Sequence, residues 1–336
     1  MNGFEEKAEM KIRSYAKVNL ALYVTGKRDD GYHLIDTVMQ KISLWDDIDL
    51  AWTPEEKSLD NQGPAVIDLK KTFESTDGFS DSKVQKSVKI IVETDKPYLP
   101  TDSRNLAYRA AEVMVEEAEK LKGQVRGTIK ICVNKRIPVS AGLGGGSSNA
   151  AAVLVALNKM WGLGISTPKL CDIGRKLGAD VPFCVLVHNT DYVCGLGTGI
   201  GDDIEGLKRG LRCHLVVAKP AFGVSTKEVY RGIDEFDFRE KRGDKSIEKI
   251  KAAILSRRGR DVFRNMHNDL EEYTLTKHPQ VERLKALIGS TDGVEMAMMT
   301  GSGPTVIGCY VTYAEAKAGC MVARQEGYEA YWCKTC

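Results

Sequence analysis

The sequence predicts an α+β protein in two halves that join near residue 190. Segments with strand periodicity and segments with helix periodicity alternate through the first half. From about Tyr192 the pattern changes to glycine-rich turns, one clear strand and a long charged helical stretch. A chain of 336 residues is long enough for two domains. We therefore expect an N-terminal domain over 1–190 and a C-terminal domain over 191–336.

The chain opens with an apolar strand. Residues 11–24 are predicted to be a strand, because every second side chain from residue 16 to residue 24 is apolar, the period of a half-buried strand. Lys17 and Asn19 then point together to the opposite face. Residues 34–44 resume an apolar pattern after a glycine-containing turn. Residues 54–87 are rich in Lys, Asp, Ser and Gly, which predicts a loop or an insertion.

A strand, a helix and a second strand follow this polar segment. Residues 87–93 and 127–136 alternate and are predicted to be strands. Between them, residues 105–121 have helical spacing, with Asp102 or Ser103 available as the N-cap.

Two helices and an apolar run complete the first half. Residues 150–161 are apolar and predict a helix. Residues 167–177 predict a second helix, which Thr167 and Pro168 open because proline is favoured in the first helical turn. Residues 178–187 turn and continue into an apolar run.

The second half contains fewer clear elements. Residues 214–219 predict a strand, and residues 296–308 predict a strand, a glycine turn and a further strand. The basic residues of 239–260 alternate with Asp and Glu, which favours a solvated helical face over a binding patch.

Composition excludes several classes of function. A net charge of +2, from 48 basic and 46 acidic residues, supplies no field that would favour nucleic acid or a membrane surface. No apolar run approaches the roughly 18–20 residues of a membrane span, and the N-terminus lacks the pattern of a secretory signal. The nine cysteines, several of them within apolar runs, indicate buried thiols in a reducing compartment, so we expect a cytoplasmic protein. The pair Cys333 and Cys336 has metal-ligand spacing but no second pair, which makes a metal site the weaker interpretation.

Residues 138–152 carry the most information about function. Gly142, Gly144, Gly145 and Gly146, followed by two serines, lead directly into the apolar helix. Glycines allow a ligand to approach the backbone, and a helix N-terminus offers unpaired N–H groups, so the combination predicts a phosphate cradle. The common P-loop is excluded because no Gly-Lys-Ser/Thr follows the glycines. The alternative is a glycine-rich surface turn before a buried helix.

Five motifs, in the same order along the chain, give this sequence a resemblance to the GHMP kinases. They are the opening strand motif at 16–20, the segment 26–33, the glycine-rich loop at 138–148, the aspartate motif at 178–182 and the glycine motif at 300–304. The resemblance implies a two-domain fold that binds ATP and substrate in the cleft between the domains. It also implies phosphorylation of a small-molecule alcohol with ATP and Mg²⁺, with the protein ligands of Mg²⁺ unknown. Segment 26–33 is similar to that of members whose alcohol is the methylerythritol part of a cytidine diphosphate. The oligomeric state stays open.

The resemblance implies that Asp180 is the catalytic base and Lys17 its partner. A carboxylate can accept the proton of a substrate hydroxyl, and a nearby ammonium keeps it ionised and offsets phosphate charge. The alternative for Asp180 is a residue that caps the helix or turn ahead of Val181. The alternative for Lys17 is a charged residue that protects an edge strand.

Further contacts come from the same resemblance. The ATP contacts expected are Asn105, Pro138, Val139, Ser140, Ala141, Gly142, Leu143, Gly144, Gly145, Gly146, Ser147 and Ser148. The substrate contacts expected are Asn19, Tyr32, His33, Thr226, Tyr230, Gly301 and Ser302. In this scheme Tyr32 and Tyr230 hold the cytosine ring between them, and His33 contacts its edge. The alternatives are a core position for Tyr230 and a structural turn for residues 300–303.

Two other functions remain open from the sequence alone. One is a kinase of the same family for another alcohol, of the homoserine or mevalonate type, which residues 31–33 disfavour. The other is a catalytically silent protein that binds ATP and sugar as a regulator. Such a protein is expected to lack the base or the lysine, and both residues are present.

Overall fold

The structure is a computed structural model that describes residues 4–55, 87–236, 243 and 245–336. The polar segment predicted to be a loop or insertion at 54–87 lies almost wholly outside the described residues, as does the start of the basic run at 239–260.

Seven of the described strands form one sheet. Its main path runs β3-β4-β2-β1-β8, and β5 and β6 extend it from β2. The strands are β1 (Ala8–Lys27), β2 (His33–Pro54), β3 (Val88–Thr94), β4 (Gly127–Asn134), β5 (Cys194–Thr198), β6 (Asp203–Leu207) and β8 (His267–Asn268). β1 and β2 form a long antiparallel hairpin, whereas β3 pairs with β4 and β1 with β8 in parallel.

The hairpin positions the first functional residues. Lys17 of β1 lies opposite Lys41 of β2, and the register of the pair shifts between Tyr15 and Lys17 and again between Asn19 and Ala21. Such irregularities twist a strand and redirect its side chains. The sequence predicts a half-buried strand, but both faces of this part of β1 are buried. Its apolar face and its polar face, which carries Lys17 and Asn19, therefore both lie inside the protein.

Four helices cover the larger sheet. They are α1 (Leu106–Lys122), α2 (Gly145–Met160), α3 (Thr167–Arg175) and α4 (Val181–Asn189). The three helices predicted in this half are confirmed, and the apolar run at 178–187 becomes α4. The N-cap expected at Asp102 or Ser103 is wrong. Asn105 caps α1 instead, because its side chain accepts a hydrogen bond from the Ala107 N–H and so satisfies one of the unpaired donors of the first turn.

The second sheet has the strand order β11-β7-β10-β9, and every neighbouring pair in it is antiparallel. Its strands are β7 (His214–Lys219), β9 (Val294–Met299), β10 (Val306–Tyr310) and β11 (Glu329–Lys334). Among the described residues, the helices of this half are α5 (Thr226–Gly232), α6 (Ile247–Leu255), α7 (Gly259–Asn265), α8 (Glu271–Lys277), α9 (Pro279–Gly289) and α10 (Tyr313–Gln325). A short 3-10 helix, Ile233–Glu235, continues α5.

The predicted α+β architecture in two halves is confirmed. The strands expected at 214–219 and around 296–308 are present as β7, β9 and β10. β5 and β6 continue the first sheet as far as Leu207, beyond the boundary expected at residue 190. One apolar core joins the halves, with Val18 and Leu143 of the first and Leu215 and Ile307 of the second in the same buried cluster. This shared core holds the two halves against each other at the site described below.

No helix within the described residues has the length and apolar character needed to cross a membrane. All nine cysteines are described, and all are free thiols. Cys184 and Cys309 are buried, as expected, and Cys132 is half-buried. In the parts of the chain that the structure describes, no group of three or more His, Cys, Asp or Glu side chains could hold a metal ion, and this includes Cys333 and Cys336.

Candidate active site

Lys17 and Asp180 form an ion pair at the join of the two halves. Lys17 Nζ lies 3.2 Å from Asp180 Oδ2, and the lysine side chain is only 5% exposed. Because this side chain is buried, Lys17 does not act as a solvent-exposed charge that protects a strand edge. Asp180 directly precedes α4, but its side chain makes no capping hydrogen bond. Both structural alternatives for these residues are therefore wrong, and the carboxylate, 35% exposed, is accessible beside a buried ammonium group.

Asn19 extends this pair into a chain of hydrogen bonds. Its Oδ1 accepts from Lys17 Nζ at 2.8 Å, and its Nδ2 donates to Thr37 Oγ1 at 2.8 Å. The Asn19 backbone N–H donates to Thr300 Oγ1 at 2.7 Å, which ties β1 to the glycine motif of the second half. With two partners, the Lys17 ammonium has a fixed position and keeps one donor for a ligand.

The glycine-rich loop packs directly on Lys17. The Lys17 backbone N–H donates to Leu143 O at 3.0 Å. Gly144 has a φ of 67°, and a Cβ added there would lie 3.0 Å from Lys17 Cγ. Gly142 has a φ of 71°, and a Cβ there would lie 2.8 Å from Thr300 O. Only glycine meets the conformational and steric demands of both positions.

A cavity of about 350 Å³ lies over this loop and the start of α2. Residues 138–147 line it, together with Asn105 and Lys135. The loop residues expected to contact ATP thus share one cavity with Asn105, apart from Ser148. Asn105 uses its side chain within the protein, since Nδ2 donates to Pro100 O at 2.8 Å and Oδ1 caps α1. It therefore shapes the cavity wall.

Ser148 does not line this cavity. It is fully buried, and its Oγ donates to Tyr15 O at 2.6 Å and accepts from Ser14 Oγ at 2.8 Å. His188 Nε2 lies 3.0 Å from the same oxygen. The hydroxyl expected to contact phosphate instead anchors α2 to β1. Ser147, one residue earlier, lines the cavity, because successive residues of a helix point about 100° apart.

Asp46 anchors the loop from behind. Its carboxylate is fully buried and accepts hydrogen bonds from the backbone N–H groups of Arg136 and Ile137, both at 2.8 Å. It also accepts from Asn149 Nδ2 at 2.9 Å and is paired with Lys135 Nζ. Arg136 and Ile137 precede the loop and Asn149 follows it, so one buried carboxylate holds both of its ends.

His33, Tyr230 and Asp234 form a second cluster at the other end of the site. The rings of His33 and Tyr230 are stacked, with centroids 5.5 Å apart and an interplanar angle of 29°. Asp234 Oδ1 lies 2.7 Å from His33 Nε2, and its Oδ2 accepts from Lys27 Nζ at 2.5 Å. Tyr32 is 61% exposed at the tip of the hairpin. The hydrogen bonds from Lys27, and next from His33, lower the pKa of Asp234.

The two clusters interact electrostatically across the cleft. Burial, and next the negative charge of Asp180, raise the pKa of the Tyr230 phenol. Tyr230 therefore lies within the field of the carboxylate, and the phenol stays neutral. Its ring is half-buried and faces His33, so a wholly structural core position does not describe it.

The glycine motif at 300–304 closes the site from the second half. Ser302 Oγ and Thr226 Oγ1 are 2.8 Å apart, which joins this motif to the start of α5. Asn268 Nδ2 donates to Gly301 O at 2.8 Å and fixes the turn. Gly301, Ser302 and Thr226 thus lie together, with Gly301 also packed on Gly142.

The structure reveals three functional candidates that the sequence analysis did not identify. Lys135 lines the cavity over the glycine-rich loop, Asp46 anchors both ends of that loop, and Asp234 contacts His33. The sequence contained a signal only for Lys135, a lysine just before the glycine-rich loop. The partners of the two aspartates are about 90 to 200 residues away along the chain, so no local pattern identifies them.

The comparisons with known proteins agree with this geometry. The family descriptions "GHMP kinases N terminal domain" and "GHMP kinases C terminal" match residues 105–187 and 248–319. The 4-diphosphocytidyl-2-C-methyl-D-erythritol kinase of Alkaliphilus metalliredigens is 40% identical over 315 residues, 92% of this chain and 91% of that protein. The enzyme of the same name from Clostridium botulinum is 37% identical over 95% of this chain and 97% of its own.

Solved structures show the same fold. A crystal structure of 4-(cytidine 5'-diphospho)-2C-methyl-D-erythritol kinase superposes with a TM-score of 0.71 at 27% identity, covering 97% of this chain and 99% of that one. Homoserine kinase from Cytophaga hutchinsonii superposes with a TM-score of 0.66 at 14% identity, covering 98% of this chain and 94% of that one.

Proposed function

Because the chain belongs to the GHMP kinase family, we propose that it transfers the γ-phosphoryl group of ATP to the 2-hydroxyl of 4-diphosphocytidyl-2-C-methyl-D-erythritol. The products are the 2-phosphate and ADP. The observation that carries the proposal is the Lys17–Asp180 pair, which lies between the glycine-rich loop and the His33–Tyr230 cluster. The curated relatives that match almost the whole chain bear the name of this enzyme.

The pair supplies what phosphoryl transfer requires of a protein. Asp180 accepts the proton of the 2-hydroxyl as its oxygen bonds to the γ-phosphorus, while the bond from phosphorus to the bridging oxygen of ADP breaks. The Lys17 ammonium lies beside the carboxylate and offsets the charge that develops on the transferring group. Asn19 holds that ammonium in place from its other side.

The glycine-rich loop is the ATP end of the site in this proposal. Residues 139–147 offer backbone N–H groups and the N-terminus of α2 to the phosphates. Lys135 adds a cation at the cavity wall, and Ser147 Oγ adds a hydroxyl. Asn105 shapes the wall on the side where the adenine is expected.

The cluster at the other end is proposed to receive the cytosine. Tyr32 and Tyr230 supply the two aromatic faces, which stabilise a stacked base by about 1–3 kcal/mol. His33 contacts the edge of the base from a position fixed by Asp234. Thr226, Gly301 and Ser302, which lie together, are proposed to contact the diphosphate and the methylerythritol part.

Magnesium is the expected partner of ATP. Asp180 and Ser147 offer side-chain oxygens near the glycine-rich loop, the type of ligand that this hard cation prefers. Since they do not form a cage, the ion is expected to take most of its ligands from ATP and water, and it would neutralise phosphate charge there. We also propose a cytoplasmic location, which the nine free cysteines support.

The experiment that tests this function is release of ADP by the purified protein with Mg-ATP. The acceptors 4-diphosphocytidyl-2-C-methyl-D-erythritol, mevalonate and homoserine are offered separately, and an Asp180→Asn preparation serves as the blank for contaminating kinases. We expect turnover with the cytidyl acceptor alone, and none with Asp180→Asn. Turnover with another alcohol would overturn the assignment of the acceptor. ATP binding without turnover on any acceptor would favour a silent regulator.

A further inference from the structure

A second cavity, of about 370 Å³, lies outside the site described above. It is formed by the loop that follows β6 and by the turn between α6 and α7, and it shares no lining residue with the cavity over the glycine-rich loop. Five of its lining side chains are cationic: Lys208, Arg209, Arg212, Arg257 and Arg258. Among the residues that the structure describes, no Asp or Glu side chain lines it, although acidic residues nearly equal basic ones in the whole chain. Cys336 also lines it, and its backbone oxygen accepts a hydrogen bond from Gln40 Nε2 at 3.1 Å.

The charge of this cavity is incompletely neutralised. Within the described ranges, the guanidinium groups of Arg212 and Arg257 have no hydrogen-bond or ion-pair partner. Arg209 Nη1 donates to the neutral carbonyl oxygen of Leu255 at 3.2 Å. Among these cations, Lys208 and Arg258 are paired with carboxylates, at 2.9 Å with Asp191 and at 3.5 Å with Asp261. Converging cations in a concave surface attract an anion more strongly than the same charges spread over a convex one.

The floor of the cavity is apolar. Leu211, Ala253, Ile254 and Val262 line it, and all four are buried. A ligand that fits therefore has an anionic part for the rim and an apolar part for the floor. A simple inorganic anion would use only the rim.

The loop that carries Arg209 and Arg212 is held firmly. The Leu211 N–H donates to Gln40 Oε1 at 3.2 Å, and Gln40 Nε2 donates to Val193 O at 3.1 Å. A Cβ at Gly210 would lie 2.0 Å from the same Gln40 oxygen, so the loop packs against this side chain without space for a larger residue. The backbone that presents the cations is therefore ordered before any ligand arrives.

We propose that this cavity binds a small organic diphosphate, with the diphosphate on the arginines of the rim and the organic group on the apolar floor. A guanidinium group can donate two parallel hydrogen bonds to phosphate oxygens, and two or more arginines span the two phosphate groups. The end of the basic run at 239–260, which the sequence alone assigns to a solvated face, thus contributes Arg257 and Arg258 to a binding site.

The test is calorimetric titration of the full chain with 3-methylbutyl diphosphate while a non-hydrolysable ATP analogue saturates the cleft. We expect saturable binding of one equivalent, and about tenfold weaker binding of inorganic pyrophosphate, which lacks the apolar part.

Arg212→Ala and Arg257→Gly are each expected to weaken binding of 3-methylbutyl diphosphate about tenfold. Glycine suits position 257 because its φ is 57°, so this variant loses the guanidinium group without a conformational cost. Arg260→Ala is the matched control, since Arg260 is exposed on α7 and does not line the cavity.

Three outcomes would overturn the proposal. One is no saturable binding of either diphosphate. Another is binding that is seen without the ATP analogue and disappears when the analogue occupies the cleft, which would place the ligand at the catalytic site. A third is equal binding by the parent chain and both arginine variants. Equal affinity for pyrophosphate and the alkyl diphosphate would show that the apolar floor contributes nothing to binding. It would overturn the organic diphosphate as the ligand and leave a site for free pyrophosphate.

Discussion

The two ends of the site are built differently. The ATP end rests on fully buried polar groups: Asp46 accepts four hydrogen bonds behind the glycine-rich loop, and Ser148 joins α2 to β1. The acceptor end is held by Asp234, whose side chain is 44% exposed and which bridges Lys27 and His33 of the hairpin from the second half of the chain.

This difference assigns a different physical role to each end. A loop fixed by a buried network is ordered before its ligand binds, so little conformational entropy is lost on ATP binding. Contacts made by exposed side chains between two halves are weaker and more easily rearranged. We therefore expect changes at the ATP end to affect both stability and ATP affinity, and changes at the acceptor end to affect only the acceptor.

Lys17 is the residue where the two ends meet, so its loss should affect catalysis rather than either binding step. Lys17→Met keeps much of the volume and removes the charge beside Asp180. We expect kcat to fall about a thousandfold, or about 4 kcal/mol of transition-state stabilisation, with the KM of each substrate changed little. The measurement is steady-state kinetics with each substrate varied in turn.

The double variant Lys17→Met/Asp180→Asn is the control for this prediction. Two residues that act as a unit have non-additive effects, so the double variant should be about as slow as the worse single one. Fully multiplicative losses would contradict a joint role for the pair.

Asp46 tests whether the ATP end is prebuilt. Asp46→Asn keeps the shape but leaves the Lys135 ammonium without its buried carboxylate. Breaking such a pair should lower the free energy of unfolding by about 3 kcal/mol, and a loosened loop should raise the KM for ATP about tenfold. The KM for the acceptor should stay unchanged. Denaturant unfolding and the two KM values measure these effects.

Asp47→Asn provides the matched control. Asp47 is the next residue on β2, is 39% exposed and pairs with Arg136 at the surface. Loss of this surface ion pair should lower the free energy of unfolding by less than about 1 kcal/mol and leave both KM values unchanged. If the two variants behaved alike, the buried network would have no special part in ordering the loop.

The contrast between the ends also explains which features the sequence could predict. The glycine-rich loop, the strand that carries Lys17 and Asn19, and the helix after the loop are local patterns, and all were predicted correctly as elements. The roles of Asp46 and Asp234 depend on folding over long sequence separations. The sequence does not distinguish Asp46 from its neighbour Asp47, yet the side chain of Asp46 is fully buried and that of Asp47 is half-exposed.

Ser148 shows a different limit. Two serines after the glycines were both expected to contact phosphate, but a helix presents only one of two successive side chains to a given face. The helical period could have excluded one of them. Which one depended on the helix start at Gly145, and a sequence places such boundaries only to within a few residues.

His188 offers a test of the buried network by pH. Burial, and next the charge of Lys41, lower its pKa from 6.5 to about 4, so the folded protein holds a neutral imidazole beside Ser148. The unfolded chain binds this proton first, so the contribution of His188 to stability is intact above about pH 6.5 and declines as the pH falls toward 4. Between about pH 7.5 and about pH 5 the loss should be about 2 kcal/mol.

The variant His188→Gln isolates this effect from the carboxylates that titrate in the same range. Its free energy of unfolding, measured with urea at both pH values, should depend less on pH than that of the parent by the same amount. An unchanged pH dependence would show that the imidazole is not held neutral in the folded state.

Asp234 tests the acceptor end and carries the smallest expected effect. Asp234→Asn keeps an oxygen that can accept a hydrogen bond but removes the charge shared with Lys27 and His33, and the neutral contacts are weaker. The KM for the cytidyl acceptor should rise about fivefold, near 1 kcal/mol, while the KM for ATP and the free energy of unfolding stay the same.

Glu235→Gln, an exposed neighbour on the same 3-10 helix, should leave all three quantities unchanged. An equal rise in both KM values would mean that Asp234 holds the two halves together as a whole. A rise for the acceptor alone would establish that the two ends of the cleft are ordered independently, one by a buried network and the other by a half-exposed carboxylate.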